Sequence, residues 1–252
     1  MGDITISYRF WYLRDRLGIK KSAFLLKMIR LFSRSKSRMN PLISVVIPTY
    51  NRGRLLVERA VASVLKQTYQ NFEIVIVGDH CTDNTGELLE QIGDNRIRFY
   101  NLSKRGNYPR DPRKRWCVAG VVPANKCLEL AKGDWIASLD DDDEFSADHL
   151  ETLLKYAQKQ ELEMIYGIVQ MELEPGKWTN VGSYPLQWGH ISRIATLYSS
   201  KLKFFKYDLN AWRIEDPADW NLWKHMKSAG VRIGFVNEVV GRHYIEKQQL
   251  EK

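Results

Sequence analysis

Five consecutive carboxylates, Asp140-Asp141-Asp142-Asp143-Glu144, follow the apolar segment Trp135-Ile136-Ala137-Ser138-Leu139. Unit charges about 4 Å apart repel by roughly 1 kcal/mol in water and about 4 kcal/mol near a protein surface. Such a run is tolerable when it is fully solvated or when a cation sits in it. Two other polar clusters also end apolar runs: Pro48-Thr49-Tyr50-Asn51 follows Ile43 to Ile47, and Gly78-Asp79-His80 follows Glu73 to Val77. If the three runs are parallel strands, the clusters open onto one edge of a sheet, where open α/β folds bind ligands. Together they supply an aromatic face and a carboxylate for a base, and hard oxygen ligands for a divalent cation holding a diphosphate. Neither a P-loop nor a Gly-x-Gly-x-x-Gly turn occurs in the chain. An EF-hand fits the alternation Asp140, Asp142, Glu144, but Phe145 stands where that loop needs glycine.

These clusters need elements to hold them. After Pro41 the sequence alternates β-branched runs with helical spacing: helices are expected over 55–65, from Asp83 through Ile92, over 123–132, from Ser146 to about Gln160 and over 218–229. A third strand is expected at 97–100, and short strands at 231–236 and 239–243. This order predicts a doubly wound, mostly parallel α/β sheet covered on both faces. Two stretches, 103–122 and 174–213, escape the pattern and read as functional loops.

The first forty residues carry ten Lys/Arg against two Asp, which equals the whole net charge of +8. Arg16, Lys20, Lys27, Arg30 and Arg34 recur at helical intervals beside Leu17, Phe24, Leu25, Met28, Leu31 and Phe32. The pattern predicts a basic amphipathic leader (1–40) ahead of one domain (41–252), with residues 9–34 on an anionic membrane surface and Phe10, Trp11 and Tyr12 as anchors. A helix packed on its own domain or on a partner is the other reading. The apolar stretch is too short to span a bilayer. Three cysteines without a Cys-x-x-Cys point to a reducing compartment.

The ordered motifs Val45-Val46-Ile47-Pro48-Thr49-Tyr50-Asn51-Arg52, Ser63-Val64-Leu65-Lys66-Gln67-Thr68-Tyr69, Asp83-Asn84-Thr85 and Leu139-Asp140-Asp141-Asp142-Asp143 resemble family 2 glycosyltransferases of the GT-A fold. The resemblance implies inverting transfer of a sugar from a nucleotide-sugar donor, UDP favoured, with Mn²⁺ or Mg²⁺. It implies that Pro48 and Tyr50 border the nucleoside, that Asp79 accepts from the base, and that Asp140 or Asp141 reaches ribose or sugar. By the same resemblance Asp142 is the metal ligand, His243 assists with metal or diphosphate, and Asp219 of Asp219-Trp220 is the general base. Gly78 stands where an Asp is usual, and Ala124-Asn125 lacks a preceding Arg; Arg113 or Arg115 could take that place at the phosphate. The leader and the Trp-rich loops point to a saccharide or lipid-linked acceptor at the cytoplasmic membrane face, in envelope polysaccharide assembly. The rival expectation is a non-catalytic nucleotide-binding protein with a basic arm for nucleic acid or a partner; nucleic acid is the less favoured partner.

Overall fold

The computed structural model describes residues 2–32 and 39–245. The leader forms one helix, α1 (Gly2–Phe32); its expected continuation through Arg34 lies outside the described residues. Then β1 (Ile43–Thr49) leads through α2 (Gly53–Leu55) and a π-helical stretch (Leu56–Val61) into α3 (Ala62–Leu65). Next come β2 (Phe72–Gly78), α4 (Thr85–Ile92), β3 (Ile97–Asn101), α5 (Pro112–Val118) and α6 (Val121–Leu130). The acidic segment is framed by β4 (Trp135–Ser138) and β5 (Glu144–Phe145). The chain closes with α7 (His149–Lys159), β6 (Met164–Glu174), β7 (Lys177–Val181), β8 (Thr196–Ser199), α8 (Ala218–Ser228) and β9 (Ile233–His243).

The sheet runs β3-β2-β1-β4-β8-β6-β9-β5, with β7 paired on β6. The first four strands are parallel, and β1 and β2 are buried on both faces, so each reads as a largely apolar run interrupted only by buried polar residues such as Ser44 and Glu73. Beyond β4 the sheet is mixed: β8 runs antiparallel to β4 and β6, while β6 and β9 are parallel. Where two short strands were expected, β9 is one continuous strand. Irregularities in its register with β6, around Ile168, absorb the polar step at Asn237-Glu238. β5 docks on β9 at Gly241, where any Cβ would stand 2.8 Å from the Glu144 carbonyl oxygen. That close approach pins the exit of the acidic loop.

The two stretches outside the alternating pattern also acquire structure. Residues 103–122 contain α5, whose start is marked by Pro112 and by the Asp111 side chain accepting from Lys114 N at 2.9 Å. Residues 174–213 contain β7, β8 and short 3-10 turns, Arg193–Ala195 among them.

α1 packs on its own domain along one side. Leu26 and Asp15 are buried, Arg14 pairs with Asp208 at 2.6 Å, and Arg30 pairs with Glu163 and donates to Gly230 O. Arg14 and Arg30 are thus tied to the domain while partly exposed, whereas Arg16, Lys20 and Lys27 are exposed. Trp11, expected as an anchor, is half-buried with the Arg213 guanidinium 4.6 Å from its ring centre. Phe10, Leu13, Leu17, Phe24 and Leu31 remain on the outer side, Phe24 at 62% exposure. Among the described residues no helix is long and apolar enough to cross a membrane.

Candidate active site

Parallel pairing of β1, β2 and β4 carries their three polar ends to one edge of the sheet, as the motif order predicted. There a cavity of about 670 Å³ is lined by Pro48, Tyr50, Asp79, Asp140, Asp141, Asp142 and Asp219. β1 delivers Pro48 and Tyr50, β2 delivers Asp79, β4 delivers the acidic loop, and the first turn of α8 delivers Asp219.

Each carboxylate of the loop has a different partner. Asp140 accepts from the Arg193 guanidinium. Asp141 accepts from Thr49 Oγ1 at 2.7 Å and from Arg52 Nη1 at 3.2 Å, and Asp142 accepts from the same Arg52 nitrogen at 2.5 Å. Asp143, fully buried, accepts from His243 Nδ1 at 2.8 Å and from Tyr244 N at 3.0 Å. Four like charges in a desolvated loop are costly in their ionised form. Burial, with the Asp142 charge beside it, pushes the Asp141 carboxyl up to about 6 against Arg52 and Thr49. Burial and Asp140 likewise raise Asp142. Asp143 goes up to about 7 through burial despite His243, whose ring, against its own burial, is raised to about 9 by Asp143 together with Asp140 and Asp142.

At the end of β2, Asp79 is buried and accepts from Gly106 N at 2.9 Å. Arg105 lies with its guanidinium carbon 3.7 Å from the Tyr50 ring centre and Nε 3.9 Å from Asp79. The glycine at position 78 has a steric reason: a Cβ there would stand 2.6 Å from Asn101 Oδ1. Asn101 braces the loop instead, accepting from Cys81 N and donating to Cys81 O, both at 2.8 Å. Asn125 is used structurally, bonding Tyr207 N and O at 3.0 and 2.9 Å.

Asp219 lines the cavity next to Trp220 and Trp223, and burial raises its carboxyl above the usual aspartate range. Trp188 meets Trp220 edge to face with ring centres 5.9 Å apart, and Trp116 lines the same wall. Trp178 packs instead on Tyr244, and Trp212 on Arg213.

The expected phosphate residue Arg115 reaches the cavity wall, yet its guanidinium donates to Pro109 O and Arg110 O of its own loop. Arg113 is not among the lining residues, and neither is His243, which is engaged with Asp143 behind the loop. The sequence reading missed Arg52, Arg105 and Arg193. Only Arg52 had a local signal, as the last residue of the Val45 to Arg52 motif.

Among the described residues no group of three or more His, Cys, Asp or Glu side chains gathers to hold a metal. The donor chemistry nonetheless suits a hard divalent cation bound through one or two protein ligands plus phosphate oxygens. Asp142 presents a carboxylate to the cavity, its charge compensated by Arg52.

Comparison with known proteins agrees with this geometry. The family model described as glycosyl transferase family 2 matches residues 44–211. Glycosyltransferase GlyG of Streptococcus pneumoniae is 38% identical over 132 residues, covering 51% of this chain and 39% of its own length. The Escherichia coli protein WfaP, named UDP-Glc:alpha-D-GlcNAc-diphosphoundecaprenol beta-1,3-glucosyltransferase, is 26% identical, covering 79% of this chain and 75% of its own. The crystal structure of S. aureus TarS with UDP-GlcNAc shares the fold with a TM-score of 0.62 at 18% identity, over 81% of this chain and 59% of that one. The chain thus spans well under half the length of GlyG.

Proposed function

Because this chain belongs to glycosyl transferase family 2, we propose that it moves a sugar from a nucleotide diphosphate to an acceptor hydroxyl, with inversion at the anomeric carbon. One observation carries the proposal: Asp79, the acidic loop and Asp219, brought by β2, β4 and α8, face a single cavity large enough for a sugar nucleotide.

In this reading Pro48 and Tyr50 border the nucleoside and the Asp79 carboxylate accepts from the base. Arg105, now stacked on Tyr50, shifts to cover the bound nucleoside. Asp142 would hold Mn²⁺ or Mg²⁺ together with phosphate oxygens, and the cation would supply charge neutralisation for the departing diphosphate. Asp219 takes the proton of the acceptor hydroxyl as it attacks in line, so no covalent nucleophile is needed. The raised carboxyl of Asp219 makes it a stronger base than a solvated aspartate. Trp116, Trp188 and Trp220 offer flat apolar faces beside it for an acceptor saccharide.

UDP is the favoured nucleotide, supported by the UDP-GlcNAc complex of TarS and the donor named for WfaP. The name of WfaP also supports a lipid-linked acceptor. The outer side of α1, with exposed Phe10, Leu13, Leu17 and Phe24 among Lys20, Lys21 and Lys27, suits peripheral attachment to an anionic cytoplasmic membrane face. Calorimetry with UDP-, GDP-, CDP- and dTDP-sugars, in Mn²⁺ and in EDTA, tests the donor site. One nucleotide class should bind with cation and lose that dependence in Asp142→Asn; no binding by any class rejects the function.

A further inference from the structure

We propose that α5 and the loop before it hold the diphosphate of a lipid-linked acceptor, so that an uncharged acceptor sugar points inward to Asp219. This rests on the transferase reading above and names the acceptor subsite of that same site. Residues 104–115 carry six Lys/Arg against one Asp, and the rest of residues 41–252 then carries a net charge of −5. Lys104, Arg105, Arg110, Arg113, Lys114 and Arg115 are all exposed. Among the described residues Arg105 comes near a carboxylate, 3.9 Å from Asp79, and the other five form no ion pair. Cations gathered in this way attract an anion to the place they share, and the arginines offer forks that match phosphate oxygens.

The patch adjoins both the cavity and α1. Arg105, Arg115 and Trp116 line the cavity. The Cys117 thiol of α5 is raised by burial and by the charges of Asp216, Asp219 and Glu215, which puts α5 on the side of the proposed base. On its other flank Lys114 Nζ lies 5.2 Å from the ring centre of Trp212, in the 3-10 turn Ala211–Ile214. The Arg213 guanidinium carbon lies 4.3 Å from that ring centre and 4.6 Å from the ring of Trp11 in α1, which meets Phe10 edge to face at 5.4 Å. Cations and aromatic rings thus alternate from the cavity rim to the outer side of α1, where Phe10 is exposed.

Charge sets the orientation of the acceptor. Inside the cavity Asp140 matches Arg193, Asp141 and Asp142 share Arg52, and Asp219 adds a carboxylate. Of the acids in residues 104–119 and 208–216, Asp208 is matched by Arg14 and Asp216 by Lys224, leaving Asp111 and Glu215 against the six cations and Arg213. A diphosphate is repelled from the Asp219 end and attracted to α5. A lipid diphosphate along this strip keeps its chain at α1, its phosphates at α5 and its sugar hydroxyl toward the base.

The test is calorimetry on the full chain with Mn²⁺ and the nucleotide diphosphate that it binds, both saturating so that the donor site is filled, and farnesyl diphosphate as the probe. Wild type is compared with the triple variant Arg110→Gln, Arg113→Gln, Lys114→Gln, whose melting temperature should be unchanged because all three side chains are exposed. Farnesyl diphosphate should bind wild type and lose about tenfold in affinity in the variant, the nucleotide binding both alike. Inorganic pyrophosphate should bind wild type more weakly than the lipid does. Equal affinity of the two proteins for farnesyl diphosphate overturns the proposal, as does pyrophosphate binding as tightly as the lipid. A parallel fall in nucleotide affinity also overturns it, assigning the patch to the donor phosphates. Displacement of farnesyl diphosphate by an equimolar single-stranded oligonucleotide does so in favour of a nucleic-acid arm. Wild type that binds nucleotide but no farnesyl diphosphate rejects this inference alone; wild type that binds no nucleotide diphosphate rejects the transferase reading with it.

Discussion

Arg52 Nη1 stands 2.5 Å from Asp142 Oδ2, and the same nitrogen reaches Asp141 at 3.2 Å. The guanidinium thus supplies the positive charge that the two carboxylates require, at the place where the proposed function puts a divalent cation.

Replacing Arg52 by Gln should leave two buried like charges uncompensated and cost about 1–3 kcal/mol of stability. Millimolar Mn²⁺ or Mg²⁺ should restore more of the melting temperature in Arg52→Gln than it adds to wild type. Equal cation effects on both proteins would move the cation away from Asp142.

Asp219→Asn should lower sugar transfer by about 10²- to 10⁴-fold with donor and acceptor saturating, and leave nucleotide binding intact. Since burial raises the Asp219 carboxyl, wild-type kcat should decline on acidification at a pH above the ordinary aspartate range. Full turnover in the Asn variant removes Asp219 from the chemistry.

Asp15 of α1 is buried against α8. It accepts from Asn221 Nδ2 at 3.0 Å, lies 2.6 Å from His225 Nε2, and pairs with Lys224 at 3.2 Å. Burial pushes its carboxyl upward, but the hydrogen bonds from His225 and Asn221 and the charges of His225 and Lys224 hold it down at about 2. A folded pKa below the unfolded value of about 3.9 stabilises the protein above that value, and the contribution is lost as pH falls towards 2. Asp15→Asn should therefore unfold about 2–3 kcal/mol more easily at neutral pH, the difference from wild type shrinking below pH ~4. Urea midpoints at the two pH values measure it; a gap that persists in acid would refute the assignment.

Leu17 and Phe24 are exposed at 57% and 62%, so Leu17→Asp with Phe24→Asp should leave the melting temperature unchanged. The double variant should lose co-sedimentation with anionic vesicles at about 0.15 M salt, where surface charge alone is heavily screened. Retained sedimentation would show that the basic residues suffice without the apolar stripe.

In the parallel half of the sheet β1 and β2 were legible because they are buried on both faces and advertise themselves as largely apolar runs. Once β1, β2 and β4 are parallel, their ends must share an edge, so Tyr50, Asp79 and the acidic loop were brought together by local pattern alone. The place of Asp219 came from resemblance, since a carboxylate in the first turn of a helix has a structural reason of its own. What the local pattern could not specify is which cation meets which carboxylate. Arg193 and Asp140 lie 53 residues apart, Arg52 and Asp142 90, and Asp15 and His225 210. Such pairs leave no periodic trace, because a charge finds its partner only after the sheet order and the seat of α1 on α8 have set the distance. For the same reason helical spacing identified α1 as amphipathic, and only packing decided that Asp15 and Leu26 are buried and Arg30 reaches Glu163 while Leu17 and Phe24 face out.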